Sequence, residues 1–228
     1  QKEITKLITD NRRVAVVTSR QAGKTTVAAA VILYYVLFNE HKLVALLANK
    51  GDTAREILDR IKIAYEALPK WLQQGVVEWN KGSVEFENGS KIVAAATSSS
   101  AIRGKSVSFL YIDESAFVEN WEEFSSAVLP TISSGKTTKT LYTSTPNGLN
   151  HFHKTCSGAK EGTNGFKFVE VPWQKVPGRD AEWKQETLAA MDFDTQKFAQ
   201  EYSCQFLGSS NTLIDGGKLK TLVSLTPI

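Results

Sequence analysis

The stretch from Thr18 to Thr26 constrains the fold of this chain more than any other. It reads Thr-Ser-Arg-Gln-Ala-Gly-Lys-Thr-Thr, follows the apolar run 14–17 and precedes a long apolar segment, 27–38. Backbone N–H groups in a tight turn at the start of a helix point towards an anion, and the helix dipole favours negative charge there. A strand, a turn containing Gly-Lys-Thr and a helix therefore predict a phosphate-binding loop.

Two side chains of this loop would contact a nucleotide directly. Lys24 would reach the β- and γ-phosphates of the nucleotide, and the Thr25 hydroxyl would hold Mg²⁺. Thr18 stands where the usual pattern has glycine or another small residue, so a basic turn that carries Gly-Lys-Thr by chance is the alternative. The candidate nucleotide-binding residues of the loop are Ser19, Arg20, Gln21, Ala22, Gly23, Lys24, Thr25 and Thr26.

Composition excludes few functions for this chain. Its 228 residues, of which 42% are hydrophobic and 22% charged, suit a globular domain with a sizeable core. The net charge of +3 neither requires nor excludes a nucleic-acid partner. No apolar run is long enough to cross a bilayer, so we expect no membrane partner. The chain starts at Gln1 instead of a methionine, and we expect it to be a piece of a longer protein.

The rest of the sequence alternates predicted strands and helices. Predicted strands cover 14–18, 43–48, 76–79, 83–86, 91–95, 109–112, 139–144 and 165–171. Predicted helices cover 2–9, 24–38, 53–68, 121–129 and 181–206. Asn88-Gly89 predicts a hairpin turn, Asp52 or Thr53 a helix cap, and Pro130 a helix end. Strands alternating with helices imply an α/β fold with a mostly parallel sheet between two helical layers.

Two acidic residues follow the predicted strand 109–112. The strand would deliver Asp113 and Glu114 to the carboxyl edge of the sheet, where open α/β sheets bind ligands. Asp113 would hold Mg²⁺, and Glu114 would act as a general base for a water molecule that attacks the γ-phosphate. The alternative is an ordinary solvated strand end.

Hydroxyl and arginine side chains complete the predicted site. Thr143, Ser144 and Thr145 end the next strand, where a hydroxyl would sense the γ-phosphate; a polar strand end before a proline turn is the alternative. Charge that develops on a transferred phosphoryl group calls for an arginine, in cis or from a neighbouring subunit. Arg20 would act in cis, whereas Arg103 would reach a neighbour or, alternatively, lie on the surface or contact DNA.

Three further features of the sequence are less indicative of function. Asn49-Lys50-Gly51-Asp52 matches a guanine-recognition motif, but it comes too soon after the phosphate loop, and a polar loop with a capping aspartate is favoured. His151 and His153 would share one face of an extended segment, as a surface pair more readily than as a metal site. Cys156 and Cys204 lack metal-ligand spacing and are expected to be buried thiols.

These motifs resemble the large terminase subunit of tailed phages, in particular its T-even-like branch. The resemblance rests on residues 19–26, 77–83, 102–104, 111–117 and 145–152 and covers nearly the whole chain. It implies a P-loop NTPase of the additional-strand, catalytic-glutamate type, and the family shares the unusual loop start at Thr18. The implied roles are adenine recognition by Gln1, phosphate and Mg²⁺ binding by Lys24, Thr25 and Asp113, base catalysis by Glu114, coupling by Thr143 to Thr145, and cis and trans arginines at Arg20 and Arg103.

The resemblance also implies partners and a domain organisation. It implies an ATP-driven motor that packages double-stranded DNA into a procapsid as a pentameric ring on the portal protein, with the small terminase subunit as a partner. This motor would act in the host cytoplasm, transiently at the portal vertex. We expect an ATPase core in residues 1–165, a small flanking subdomain in 166–212, and in 213–228 the start of a linker to a nuclease domain. We therefore expect no nuclease activity from this chain.

Two other functions stay open on the sequence alone. A helicase-like remodeller, or another nucleic-acid-stimulated P-loop ATPase, would share the loop and the acids but would need a second motor domain. A nucleotide-gated interaction module would bind ATP without turnover, and Glu114 argues against it because a pure switch has little need of a base.

Overall fold

A computed structural model of the chain describes residues 1–97, 102, 104–133 and 137–208. Within them, eight strands form a single sheet in the order β3-β4-β5-β2-β6-β7-β1-β8. The strands are β1 (Arg13–Thr18), β2 (Leu43–Ala48), β3 (Val76–Trp79), β4 (Ser83–Phe86), β5 (Lys91–Ala96), β6 (Phe109–Asp113), β7 (Lys139–Ser144) and β8 (Lys167–Val171). The helices are α1 (Lys2–Asp10), α2 (Lys24–Leu37), α3 (Gly51–Glu66), α4 (Trp121–Ser133), α5 (His151–Glu161), α6 (Ala181–Ala189) and α7 (Thr195–Glu201).

The central six strands, from β5 to β8 in the sheet order, are parallel to one another, and β3 and β4 add an antiparallel hairpin at one edge. The parallel strands bring their carboxyl ends to one edge of the sheet, with Asp113 in register with Thr143 and Val17 with Ser144. β7 is inserted between β1, which leads into the loop, and β6, which ends in Asp113. The expected mostly parallel sheet is confirmed, and the inserted strand is the one expected of an additional-strand ATPase.

The sheet separates two apolar layers because its central strands are buried on both faces. In β1, Val14 and Val16 face a core that also contains α1, α2 and α3, whereas Ala15 and Val17 face a core that contains α4 and α5. This alternation explains why the strand reads as a continuous apolar run. Burying each of the three valine side chains contributes about 1.5–3 kcal/mol and helps to fix the strand that leads into the loop.

Helix α4 corrects the prediction that Pro130 ends it, because the helix continues to Ser133. Proline inside a helix removes one backbone hydrogen bond and costs about 3 kcal/mol. Phe124, Val128 and Ile132 are all buried at helical spacing on the same side. The packing of these three side chains outweighs the lost hydrogen bond.

Helix α3 begins at Gly51, so the prediction that Asp52 or Thr53 caps it was wrong. Lys50 occupies the N-cap position with an extended backbone and makes no side-chain cap hydrogen bond. The prediction failed because a capping side chain is only one of several ways to satisfy the first N–H groups of a helix. By contrast, the hairpin turn at Asn88-Gly89 is confirmed, with Gly89 at φ +75°.

Helix α5 was not predicted, and it changes the expectation for the two histidines. The Asn150 carboxamide accepts hydrogen bonds from the N–H groups of Phe152 and His153 and so caps the helix, which ends at Gly162 with φ +73°. His151 and His153 therefore lie in the first turn of a helix, so the prediction of an extended segment was wrong. An Asn cap and a C-terminal glycine are the sequence signals for this helix.

The region after residue 165 contributes both to the sheet and to a helical layer. β8 pairs with β1 in parallel, so the predicted flanking unit 166–212 starts inside the central sheet. The helix predicted for 181–206 is instead two helices, α6 and α7, because Asp192 and Phe193 between them have positive φ angles. The division of the chain at residues 165 and 212 stays a prediction.

Two smaller expectations concern thiols and membranes. Cys156 and Cys204 are buried free thiols, as expected, and burial raises the pKa of each thiol to about 12. Among the helices in the described part of the chain, none is both long and apolar enough to cross a membrane.

Candidate nucleotide-binding site

The phosphate loop joins the buried end of β1 to the first turn of α2. Gly23 occupies the helix N-cap with φ +84°, a left-handed conformation that glycine adopts without strain. The first hydrogen bond of the helix runs from the Val27 N–H to the Gly23 carbonyl. The N–H groups of residues 24–26 therefore lack helical acceptors and, with the helix dipole, favour an anion at this point.

Gly23 also lies against Gln1, the predicted adenine-recognising residue. A Cβ atom added to Gly23 would lie 2.8 Å from the Gln1 side-chain nitrogen. The structure thus brings Gln1 to the loop, although its contact with a base stays a prediction.

Replacing Gly23 by alanine should both strain the loop and displace Gln1. We expect the free energy of unfolding to fall by about 1–2 kcal/mol, the cost of a left-handed non-glycine residue, and nucleotide affinity to fall as well. Denaturant unfolding and binding of a fluorescent ATP analogue measure the two effects. Gly162→Ala is the matched control, because Gly162 has φ +73° and open space around it. Wild-type nucleotide affinity in Gly23→Ala would contradict the assigned role of the loop.

A lysine and two carboxylates form the centre of the site. Lys24 Nζ lies 2.9 Å from Asp113 Oδ1 and 2.6 Å from Glu114 Oε1. Burial disfavours the charged amine, but the two carboxylates outweigh burial and raise the pKa of Lys24 above its ordinary value. Burial also disfavours the Asp113 carboxylate, yet Lys24 and the Thr143 hydroxyl hold the pKa of Asp113 below its usual range. The structure therefore favours a charged amine beside an ionised Asp113.

Hydroxyl groups surround the two acids. Thr25 Oγ1 donates to Asp113 Oδ2 at 3.3 Å, and Thr143 Oγ1 donates to Asp113 Oδ1 at 2.7 Å. Ser144 Oγ lies 3.4 Å from Glu114 Oε2. Two of the three residues predicted to couple hydrolysis to movement, Thr143 and Ser144, thus contact the predicted metal ligand and the predicted base. The third, Thr145, is also buried.

The residues predicted for Mg²⁺ fit that ion in chemistry. Asp113 supplies an ionised carboxylate and Thr25 a neighbouring hydroxyl, and oxygen ligands are those that Mg²⁺ prefers. Within the described residues, no group of three or more His, Cys, Asp or Glu side chains could hold a metal ion. A metal at Asp113 would therefore depend on Thr25 and on oxygens of the nucleotide, as is usual for Mg²⁺ at phosphates.

Arg20, which was predicted to act on the nucleotide in cis, pairs with Glu201 in the structure. Its exposed side chain places Nε 3.3 Å from Glu201 Oε2, and its backbone N–H donates to the Glu201 carbonyl at 2.8 Å. The loop is therefore tied to α7 through both the side chain and the backbone of Arg20. Arg103, the other predicted arginine, lies outside the described residues.

Arg179 is a loop contact that the sequence did not indicate. Its guanidinium donates to Ser19 Oγ and, at 2.8 Å, to the Arg20 carbonyl. The guanidinium also stacks on the Trp183 ring, with its carbon 4.6 Å from the ring centroid. Because a planar guanidinium can donate twice and stack at once, Arg179 fixes the first half of the loop against the aromatic side chain of α6.

An open cavity of about 570 Å³ lies beside the loop, a volume within the usual range for small-molecule sites. Residues 20–26 form one side of the cavity, Glu114 lines it from the sheet, and Arg60 of α3 lines it as well. Arg60 was not predicted, because nothing in the helical pattern of α3 distinguishes it from a solvent-facing arginine. Asn49, from the guanine-like motif, lines a separate cavity with Thr97.

Comparisons with known proteins point to the same family. The family model described as terminase large subunit, T4likevirus-type, N-terminal, matches residues 16–221. A terminase large subunit of Thermus phage G20c is 25% identical over 240 residues, which cover 91% of this chain and 48% of that protein. The chain thus spans about half the length of the curated relatives it matches.

Two solved structures share the fold. The large terminase ATPase domain of Thermus phage P74-26 is 19% identical with a TM-score of 0.70, covering 90% of this chain and 98% of that one. A large terminase from another thermophilic bacteriophage, in complex with ATP-gamma-S, is 12% identical with a TM-score of 0.68, covering 87% and 48%. The resemblance drawn from the motifs and the P-loop NTPase fold are both confirmed. This chain belongs to the T4likevirus-type terminase large subunit family and matches the N-terminal part of such subunits.

Proposed function

We propose that this chain is the ATP-hydrolysing motor part of a viral DNA-packaging terminase. The observation that carries the proposal is the contact of Lys24 with both Asp113 and Glu114, at the start of a helix and at the carboxyl ends of parallel strands. The proposed phosphate-binding cation, Lys24, and the proposed base, Glu114, line one cavity, and the proposed metal-binding acid, Asp113, contacts Lys24. Family membership and the similar large terminase solved in complex with ATP-gamma-S support nucleotide binding.

Nucleotide binding would redistribute the contacts of Lys24. Without a nucleotide, the amine neutralises both carboxylates. Phosphate oxygens at the N-terminus of α2 would compete for this amine, because the helix dipole and the free N–H groups already favour negative charge there. Transfer of Lys24 from Glu114 to a phosphate would leave the Glu114 carboxylate free to accept a proton.

Hydrolysis would then follow from the position of Glu114. Its carboxylate would accept a proton from a water molecule as the water oxygen bonds to the γ-phosphorus and the bond to the β–γ bridging oxygen breaks. The products are ADP and inorganic phosphate. Thr25 and Asp113 would hold Mg²⁺, whose positive charge would offset that of the phosphate oxygens. Ser144, whose Oγ lies 3.4 Å from Glu114 Oε2, would respond when the base loses its lysine partner.

The finer parts of the function rest on the family. We propose double-stranded DNA, the portal protein and the small terminase subunit as partners, a homo-oligomeric ring as the working assembly, and the host cytoplasm and portal vertex as its location. Arg20 would leave Glu201 to contact the γ-phosphate in cis, and Arg103 would act on a neighbour's nucleotide. We expect no DNA cleavage by this chain. Family membership favours packaging over a helicase-like remodeller.

Hydrolysis of ATP and of GTP, followed against protein concentration with and without double-stranded DNA, tests the proposal. We expect preference for ATP, a specific activity that rises with concentration, and stimulation by DNA. Arg103→Ala should abolish the rise, and Arg20→Ala should lower activity at every concentration. Arg55→Ala is the control, because Arg55 pairs with Asp52 on the surface of α3. A preference for GTP, or binding of ATP without any phosphate release, would overturn the proposal.

A further inference from the structure

The predicted base, Glu114, lies at a strained point of the backbone. Its φ of +51° is in the left-handed region, and a short 3₁₀ turn, Ser115–Phe117, follows at once. A residue other than glycine occupies this region at an energetic cost and keeps it only where surrounding contacts enforce it. The contacts that hold this turn therefore also fix the direction of the Glu114 side chain.

Those contacts come from the segment between β7 and the first turn of α5. Asn147 Nδ2 and Asn150 Nδ2 both donate to the Ala116 carbonyl, at 3.2 Å and 2.6 Å. His151 Nε2 lies 2.7 Å from the Ser115 carbonyl oxygen. Since a carbonyl only accepts, His151 must donate through Nε2.

His151 is itself held in place. Its ring stacks on the Trp121 ring, with centroids 4.1 Å apart and planes within 3° of parallel. The ring is half-buried, and its neighbour Asn150 is fixed as the cap of α5. A rotamer locked on one side by an indole ring gives its single hydrogen bond a defined direction.

We propose that His151 is a positioning residue for Glu114, acting through the Ser115 carbonyl to keep the base directed at the nucleotide. Asn150 supports the same turn from the adjacent position. The proposal rests on the proposed function, since it assigns a role in ATP hydrolysis. It also means that the start of α5, and not only the strand that ends in Asp113, determines whether the base is in place.

A pair of substitutions separates the hydrogen bond from the packing. His151→Phe keeps an aromatic ring on Trp121 and removes the donor, whereas His151→Gln keeps a donor at similar reach and removes the ring. We expect His151→Phe to lower kcat by about 5- to 10-fold, as for the loss of one hydrogen bond, with unchanged affinity for ATP-gamma-S. His151→Gln should recover most of the rate. His153→Phe, in the same helical turn but against Phe206, should behave as wild type.

A double variant tests whether His151 acts through Glu114. In the Glu114→Gln background, His151→Phe should cause no further loss of the residual single-turnover rate. Wild-type kcat in His151→Phe, a further loss in the double variant, or parallel losses of kcat, affinity and thermal midpoint would each overturn the proposal. A wild-type chain that binds ATP but releases no phosphate would instead overturn the proposed function, and this role with it.

Discussion

Replacing Glu114 by glutamine is expected to leave ATP bound and to lower its turnover by roughly 10²–10⁴-fold, the range for loss of a general base. Glutamine has nearly the same shape, and its amide oxygen can still accept a hydrogen bond from Lys24. It cannot accept a proton from water at neutral pH. Affinity for ATP should therefore stay near that of the wild type while phosphate release nearly stops.

Measurement of phosphate release beside equilibrium binding of ATP-gamma-S checks this prediction. Glu122→Gln is the matched control, because Glu122 lies exposed in the first turn of α4. It makes the same chemical change away from Lys24, and its kcat should stay that of the wild type. Substantial turnover in Glu114→Gln would show that another group serves as the base.

Replacing Lys24 by methionine should abolish nucleotide binding and also destabilise the fold. Two neighbouring carboxylates would lose the cation that neutralises them, and Asp113 is buried. Removing one partner of a buried ion pair costs about 3–5 kcal/mol, and we expect the lower end because the Glu114 side chain is 35% exposed. Urea unfolding with and without ATP measures both effects.

The pH dependence of this loss has a definite sign. In the wild type the pKa of Asp113 lies below its ordinary value, so Asp113 contributes stability above that ordinary value and loses it as pH falls. Without Lys24 the pKa of Asp113 should rise, so Asp113 should take up its proton at a higher pH than in the wild type. The difference in stability between wild type and Lys24→Met should therefore narrow as pH falls towards the ordinary aspartate pKa, about 4.

Lys91→Met is the matched control for Lys24→Met. Lys91 also bridges two carboxylates, of Glu78 and Glu85, but all three side chains are about one-third exposed on the edge hairpin. Solvent screens such exposed pairs, so this loss of stability should be much smaller than that of Lys24→Met. An equal loss of unfolding free energy in the two variants would mean that burial does not strengthen the contacts of Lys24.

The frame of the site was predictable from local pattern. The continuous apolar run 43–48 predicted β2 with its observed bounds, because a strand buried on both faces needs no polar position. Asp113 and Thr143 come together because neighbouring parallel strands end at one edge. The Gly-Lys-Thr turn placed Lys24 at the same edge. These predictions depend on short stretches and on one general property of parallel sheets.

Contacts between distant segments were not predictable in the same way. Arg179 lies 160 residues from Ser19, and no spacing rule relates them. The hydrogen bond from His151 to the turn after Glu114 depends on the packing of α5 against that turn, which the sequence pattern does not contain. The prediction that α4 ends before Pro130 was wrong because it considered only the low helix propensity of proline. It left out the packing of the apolar face of α4. In each case tertiary packing decided the outcome.

A structure determined with ATP-gamma-S and Mg²⁺ tests the central claim most directly. The account predicts phosphate oxygens at the N-terminus of α2, with Lys24 Nζ in hydrogen-bond contact with a phosphate and no longer with Glu114. The turn after Glu114 should keep its hydrogen bond to His151. A nucleotide bound elsewhere, or one bound at the loop with Lys24 still paired to Glu114, would contradict the account.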